Sequence, residues 1–323
     1  MFWGSAMSVN ALWHSVGRRL WQGEGGGDIW TGMSWREKVI LGTLVAWGGR
    51  LTYRIVTRNA GKREDSRYTD VKEERKKERK GYWNWAYPAI FLSQAGMQWL
   101  ITIPSTLALH LSTPQAITPP FSFLDFVAIT TLTTGLATEI VADYQLDTFK
   151  SKSNASKGKI CREGLWDVVR HPNYLGDILT HAGIGLLSYL TVPSAVSPYL
   201  SPIFAIGPIA NYVFLRYIGG DEVTEQNQLK RYREDANRTY PGMSIEKAAT
   251  HPELQEAKTK LVEFESYRKE RNAVWPSLTG LQGGGKWWVA GVVGGASVVG
   301  LACGEGVGRW VRGGGVEGRF ALQ

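Results

Sequence analysis

Cysteine is scarce in this 323-residue chain: there are two, Cys161 and Cys303, far apart in sequence and in unlike surroundings. That excludes a disulfide framework and leaves no cysteine spacing suited to a metal. Strand-type alternation is missing, and the apolar runs are too long for strands. The N-terminus, MFWGSAM, has no basic stretch ahead of a long apolar core, so no cleavable leader is expected. The basic stretch before His171 carries neither a Gly-rich dinucleotide fingerprint nor a phosphate-loop motif, which excludes a soluble-type nucleotide fold there. Acid is in deficit: 37 Lys and Arg stand against 29 Asp and Glu, a net charge of +8. The basic residues sit in loops between apolar runs, a pattern that points away from nucleic acid and toward anionic lipid and a phosphorylated cofactor.

What is present is an alternation. Apolar runs cover 37–57, 83–110, 121–142, 173–192, 203–218 and 287–303. The mean hydropathy of -0.19 hides them, because charged loops offset them in the average. The loops at 58–80, 143–171 and 219–276 are charged, whereas LSTPQAITPP (111–120) and PSAVSPYLSP (193–202) carry no charge. Such strict alternation is what the positive-inside rule produces when helices thread back and forth through a bilayer, and 14 Trp suit its interfaces. The expectation is an all-α polytopic transmembrane bundle of about five to six spans with basic loops toward the cytosol. Pro104 is expected to kink the second span, and the last run is rich in small residues that let helices approach closely. Residues 1–36 are weakly patterned and 242–286 read as a charged cytosolic extension. Residues 287–323 read as an added span and tail.

The residues with chemistry cluster around GLWDVVRHPNYLGD (Gly164 to Asp177). Pro172 suits the first position of a helix, with His171 as its cap. Asn173 and Asp177 are four apart and Tyr174 and Asp177 three apart, so the three share a face. A polar face on a membrane-type helix is costly unless it binds something. The preceding run ends ATEIVADYQLDTFK, where Glu139, Asp143 and Asp147 recur every fourth residue as an acidic stripe. Glu139 lies deepest and should have a partner, a raised pKa or a ligand. Lys150, Lys152, Lys157, Lys159, Arg162 and Arg170 then lead into the new helix. Cations next to a helix N-terminus suit phosphates, and they equally suit charge kept on the cytosolic side with no ligand. His171 and His181 bracket Asp177 without a third clear ligand, so no metal is expected. After Gly219–Gly220, Glu222, Glu225, Tyr232 and Arg233 fall on a charged helix that also reads as a plain solvated one.

Together these segments resemble the steroid 5α-reductase C-terminal domain superfamily of membrane proteins, in its uncharacterised branch related to steroid and sterol reductases. WGGRLTYRIVTRN with GKREDSRY, EIVADYQLDTF, GLWDVVRHPNYLGD and GGDEVTEQNQLKRYREDANRT match in order, over about 37–241. Asp167, Val168, Val169 and Asp235 depart from the residues many relatives carry. The N-terminal helices look shortened, so that MFWGSAM reads as the end of a helix begun upstream.

The resemblance implies an NADPH-dependent reductase of a carbon–carbon double bond in a lipid or sterol-like substrate, held in the endoplasmic reticulum membrane. It implies a cofactor pocket lined by Asp143, Arg170, Asn173, Tyr174 and Asp177, with Lys150, Arg162, His171, Glu225 and Tyr232 contributing. Tyr174 or Glu139 would hydrogen-bond the substrate carbonyl or supply the proton. Isoprenylcysteine-type membrane methyltransferases look like distant relatives with a similar His-Pro motif, which keeps S-adenosylmethionine open as the alternative cofactor. A non-catalytic membrane protein that retains the fold is the third reading.

Overall fold

The computed structural model describes residues 3–61, 72–73, 75–77, 81–111, 120–152, 159–193, 197–238 and 251–312. Most of the basic loop at 58–80, all but the two ends of the uncharged segment 111–120, Lys157 and residues 239–250 lie outside them. Among the described residues the chain is helical and contains no strand. The principal helices are α1 (Trp3–Leu12), α2 (Trp35–Asn59), α3 (Ser93–Leu111), α4 (Phe123–Ser151), α5 (Pro172–Thr191), α6 (Ser197–Val213), α7 (Asp221–Ala236), α8 (Pro252–Glu270) and α9 (Gly285–Arg312). By length and composition, three stretches are apolar enough to cross a membrane: α4, the apolar part of Ser201–Ala236 ahead of the Gly219–Gly220 bend, and Gly285–Arg309. An all-helical architecture with membrane-compatible helices is therefore the fold.

The chain forms two compact units, and their boundary falls within α5 and α6. The first comprises residues 1–120 and 184–210. The weakly patterned N-terminus is helical here because it has a partner. Gly4 and Gly48 bring the backbones of α1 and α2 so close that a Cβ on Gly48 would strike Gly4 and Ser8. Ser8 Oγ donates to the Leu44 carbonyl at 2.9 Å across the same contact. Packing supplies what the local pattern lacks. A capping box starts α2: Glu37 N–H donates to Ser34 Oγ at 3.2 Å, and Ser34 N–H to the Glu37 carboxylate at 2.7 Å. The second apolar run is irregular at Tyr87–Leu92, which forms π-type turns around Pro88, while Pro104 lies inside α3. Pro88 has no N–H to give and its ring displaces the carbonyl one turn earlier, which widens the turn.

The second unit comprises residues 121–183 and 211–323. Ser122 and Asp125 form the capping box of α4, with Asp125 fully buried. α4 continues well past the apolar run that ends at residue 142, so Glu139, Asp143 and Asp147 ride on a single helix. α9 lies along α4: a Cβ on Gly300 would meet Thr130 Oγ1 at 2.6 Å, and one on Gly304 would meet Phe121 at 3.0 Å. The small residues of the last helix thus serve a close helix contact. α7 packs on α8 through the edge-to-face pair Tyr232–Phe264, with ring centroids 5.3 Å apart.

Candidate functional site

The segment leading into α5 is fixed to α4 first. Trp166 Nε1 donates to the Ala142 carbonyl, and Leu165 N–H donates to Gln145 Oε1, both at 2.9 Å. Pro172 opens α5, and the His171 carbonyl accepts from Tyr174 N–H at 3.0 Å and Leu175 N–H at 3.1 Å. His171 therefore holds the cap position that the sequence assigns to it. Its ring stacks on Tyr174, with centroids 5.1 Å apart and planes 11° from parallel.

Around this helix start lies a buried ionic cluster. Glu225 is 3% exposed and receives Arg170 Nε at 2.7 Å, Arg170 Nη2 at 3.1 Å, His171 Nε2 at 2.9 Å and Arg268 Nε at 2.8 Å. An ionised carboxylate only accepts, so His171 carries its proton on Nε2. Burial alone would raise the Glu225 carboxyl. The His171 hydrogen bond, with the charge and hydrogen bonds of Arg170, outweighs burial and holds the carboxyl at about 2. The remaining Arg170 nitrogen, Nη1, donates to the Arg268 carbonyl at 2.7 Å and the Arg271 carbonyl at 2.6 Å.

The extension beyond residue 242 is thus part of this site. Arg170 N–H and His171 N–H donate to the carbonyls of Asn272 and Ala273 at 3.0 and 2.9 Å. Arg271 Nη2 reaches Asp167 Oδ1 at 2.9 Å. The buried Tyr267 phenol donates to the Trp166 carbonyl and, at 3.2 Å, to the Val169 carbonyl, and burial pushes its pKa well up. Arg162 pairs with Glu270 and lies over the Tyr267 ring at 5.2 Å. Sequence reasoning does not find Tyr267, Arg268, Arg271 or Asn272. Their side-chain or main-chain partners in this cluster lie 43 to 104 residues away and no local spacing marks them.

Further along α5 is a second polar group. His181, 4% exposed, has Nδ1 3.1 Å from Asp177 Oδ1 and 3.3 Å from Asn211 Nδ2, and Glu139 acts on it through charge. α4 and α5 touch backbone to backbone here: a Cβ on Gly176 would come within 2.7 Å of Glu139 N and of the Gly135 carbonyl. Glu139 and Asp143 are buried on α4. Asn173 has a buried side-chain oxygen with no hydrogen-bond partner among the described residues.

On the other flank of the α4–α5 contact is an apolar cavity of about 240 Å³. It is lined by Thr138 of α4, Leu175 and Leu179 of α5, Trp275, and Val289 and Val292 of α9, among others. Among the described residues, no group of three or more His, Cys, Asp or Glu is arranged to hold a metal ion.

The residues expected around a cofactor therefore divide. Arg170, His171 and Glu225 come together, and their polar atoms are engaged with one another and with the extension. Asn173, Tyr174 and Asp177 lie on the first turns of α5, with Glu139 and Asp143 on α4 beside it. Lys150 is exposed near the end of α4, Arg162 is paired with Glu270, and Tyr232 packs on Phe264. For a nicotinamide dinucleotide, the part of the site that offers an open polar group is the helix face. Asn173 presents an unmet acceptor, whereas all three guanidinium nitrogens of Arg170 are already engaged by Glu225 and main-chain carbonyls.

Residues 28–242 match the family described as "Protein of unknown function (DUF1295)". The chain belongs to that family. No curated protein and no solved structure matches it. The family region contains α4, α5, Arg170, His171 and Glu225, and ends before Tyr267, Arg268, Arg271 and Asn272. Much of the scaffold around the ionic cluster thus comes from sequence outside the family's matched region.

Proposed function

We propose that this protein is an integral membrane reductase that uses NADPH to saturate a carbon–carbon double bond in a lipid or sterol-like substrate. On this reading it resides in the endoplasmic reticulum membrane with its basic loops in the cytosol. The observation that carries it is the gathering of the buried Glu139 and His181 with the partly buried Asp177 where α5 meets α4, a helix apolar enough to cross a membrane. Asn173, with its unmet buried oxygen, lies one turn from Asp177. Buried polar groups in membrane helices mark ligand or proton pathways.

NADPH would supply the hydride. Asn173 and Asp177, with Asp143, would hold it, and Lys150 at the end of α4 would offset the charge of its phosphates. Tyr174 or Glu139 hydrogen-bonds the substrate carbonyl and delivers the proton that completes the reduction. Arg170, His171 and Glu225 are positioning residues: they fix where α5 begins, and so the direction of Asn173 and Asp177.

The test is thermal unfolding of the detergent-purified protein with NADPH, NADH or S-adenosylmethionine. A ligand that binds only the folded state raises the melting temperature. Stabilisation by NADPH that is lost in Asp177→Ala is expected. Stabilisation by S-adenosylmethionine alone would replace this reading with a methyltransferase, and no response to any of the three would reject a cofactor at this face.

A further inference from the structure

We infer that the apolar cavity between α4, α5 and α9 is a binding site for a single hydrocarbon chain, closed by the C-terminal extension. The cavity stands independent of the cofactor reading, because it lies on the opposite flank of the α4–α5 contact from Asp177 and His181.

The walls set the chemistry. Leu175 and Leu179 of α5, Val289 and Val292 of α9, and Pro276 offer hydrocarbon, and the lining hydroxyls come from Thr134 and Thr138. No charged side chain lines it among the described residues. An ionic headgroup or a phosphate would have nothing to pair with inside, and burying it unpaired is prohibitive. The size sets the rest. At about 240 Å³ the cavity is smaller than the ~300–1,000 Å³ of sites for drug-sized ligands, so it excludes a dinucleotide and suits one slender chain.

The roof is built, not draped. Asn272 Oδ1 accepts from the N–H groups of Val274 and Trp275 at 3.1 and 3.0 Å, which turns the chain tightly. The carbonyls of Asn272 and Ala273 are held by the N–H groups of Arg170 and His171. Ala273 and Val274 are buried against Ile178. Trp275, fixed by this turn, leans on Tyr212 with ring centroids 5.8 Å apart and reaches the cavity. Trp275 and Val293 are each close to half-exposed and frame the mouth. Val293 belongs to α9 and the facing Thr138 to α4, two helices apolar enough for a bilayer, so a chain enters from the lipid phase. Trp275, Pro276 and α9 all lie beyond the family region, so the extension completes a cavity whose other walls the family region supplies.

The test uses the full-length protein in phosphatidylcholine nanodiscs, photolabelled with a diazirine-bearing fatty acid or with phosphatidylcholine carrying the diazirine in one tail. Labelled peptides are mapped by mass spectrometry. Saturable labelling of peptides that contain Leu179 and Val292 is expected. The free acid alone would identify a discrete lipid ligand, and the phospholipid probe would identify a membrane-lipid tail; either supports the chain site. Val292→Trp fills the cavity and should cut this labelling about tenfold, the factor that a steric penalty of roughly 1.4 kcal/mol produces. Val298→Trp, at an exposed position of the same helix, should leave it unchanged. Val289→Met adds volume on the same wall without an indole and is read in parallel, so that misfolding of one variant decides nothing. Labelling that does not saturate with either probe, or that folded Val292→Trp and Val289→Met both leave intact, would overturn the inference.

Discussion

Arg170 grips Glu225 through two guanidinium nitrogens, at 2.7 and 3.1 Å, and both side chains are almost fully buried. The pair joins the start of α5 to α7, and Arg268 and His171 close it from either side. Replacing Glu225 with Gln leaves three cationic or donating groups around a neutral amide. A loss of about 3 kcal/mol in stability is expected, the usual scale for breaking a buried ion pair from one side. Thermal unfolding of wild type and Glu225→Gln in the same detergent measures it.

The same carboxyl predicts a pH response. Its ordinary value is 4.5 and its folded value about 2, so folding favours the ionised form. The stabilisation it brings is complete above about pH 4.5 and drains away as the pH falls toward 2. The gap in melting temperature between wild type and Glu225→Gln should therefore be constant near neutrality and shrink in acid. A gap that widened on acidification would contradict the ionised assignment.

Gly176→Val should be among the more damaging single changes in α5. Its side chain would press on Glu139 N and the Gly135 carbonyl, and neither backbone can yield cheaply. A cost of about 1–3 kcal/mol or more is expected from such overpacking. The check is folded yield and melting temperature, with Val at the neighbouring partly exposed Leu175 as the control.

Tyr267→Phe removes the hydroxyl that serves the Trp166 and Val169 carbonyls. About 1–3 kcal/mol should be lost, the cost of leaving buried acceptors unmet. Hydrogen exchange should rise in the residues around Val169 before it rises in α4.

Cys161 is buried, and burial pushes its thiol up, away from the reactive thiolate. Maleimide at neutral pH should leave it intact in the folded protein and label it after denaturation, as read by intact mass.

Much of this architecture is legible in the residues. Pro172 marks the start of α5, the four-residue spacing of Glu139, Asp143 and Asp147 places them on one helix, and the apolar runs become helices. Three things are not legible, for separate physical reasons. α1 has no amphipathic signature, because it is held by a glycine-to-glycine backbone contact with α2 that no hydrophobic period encodes. The basic residues before α5 suggest phosphate from sequence alone. In the fold, Arg162 and Arg170 are committed to Glu270, Glu225 and main-chain carbonyls. Charge counts in a loop cannot reveal such a commitment, because the partners arrive from α7 and from an extension about a hundred residues downstream. His181 is visible only as a neighbour of Asp177, and its contact with Asn211 depends on tertiary packing.

The turn at Asn272 divides labour along the chain. The family region up to residue 242 supplies the polar helix face, and the extension beyond it supplies the roof and far wall of the apolar cavity. Members of the family that share the first part and differ in the second would keep one chemistry while changing which molecules can lie beside it. The tail would then be the exchangeable half of a two-part mould, and grafting it between relatives would transfer chain-length preference without touching Asp177.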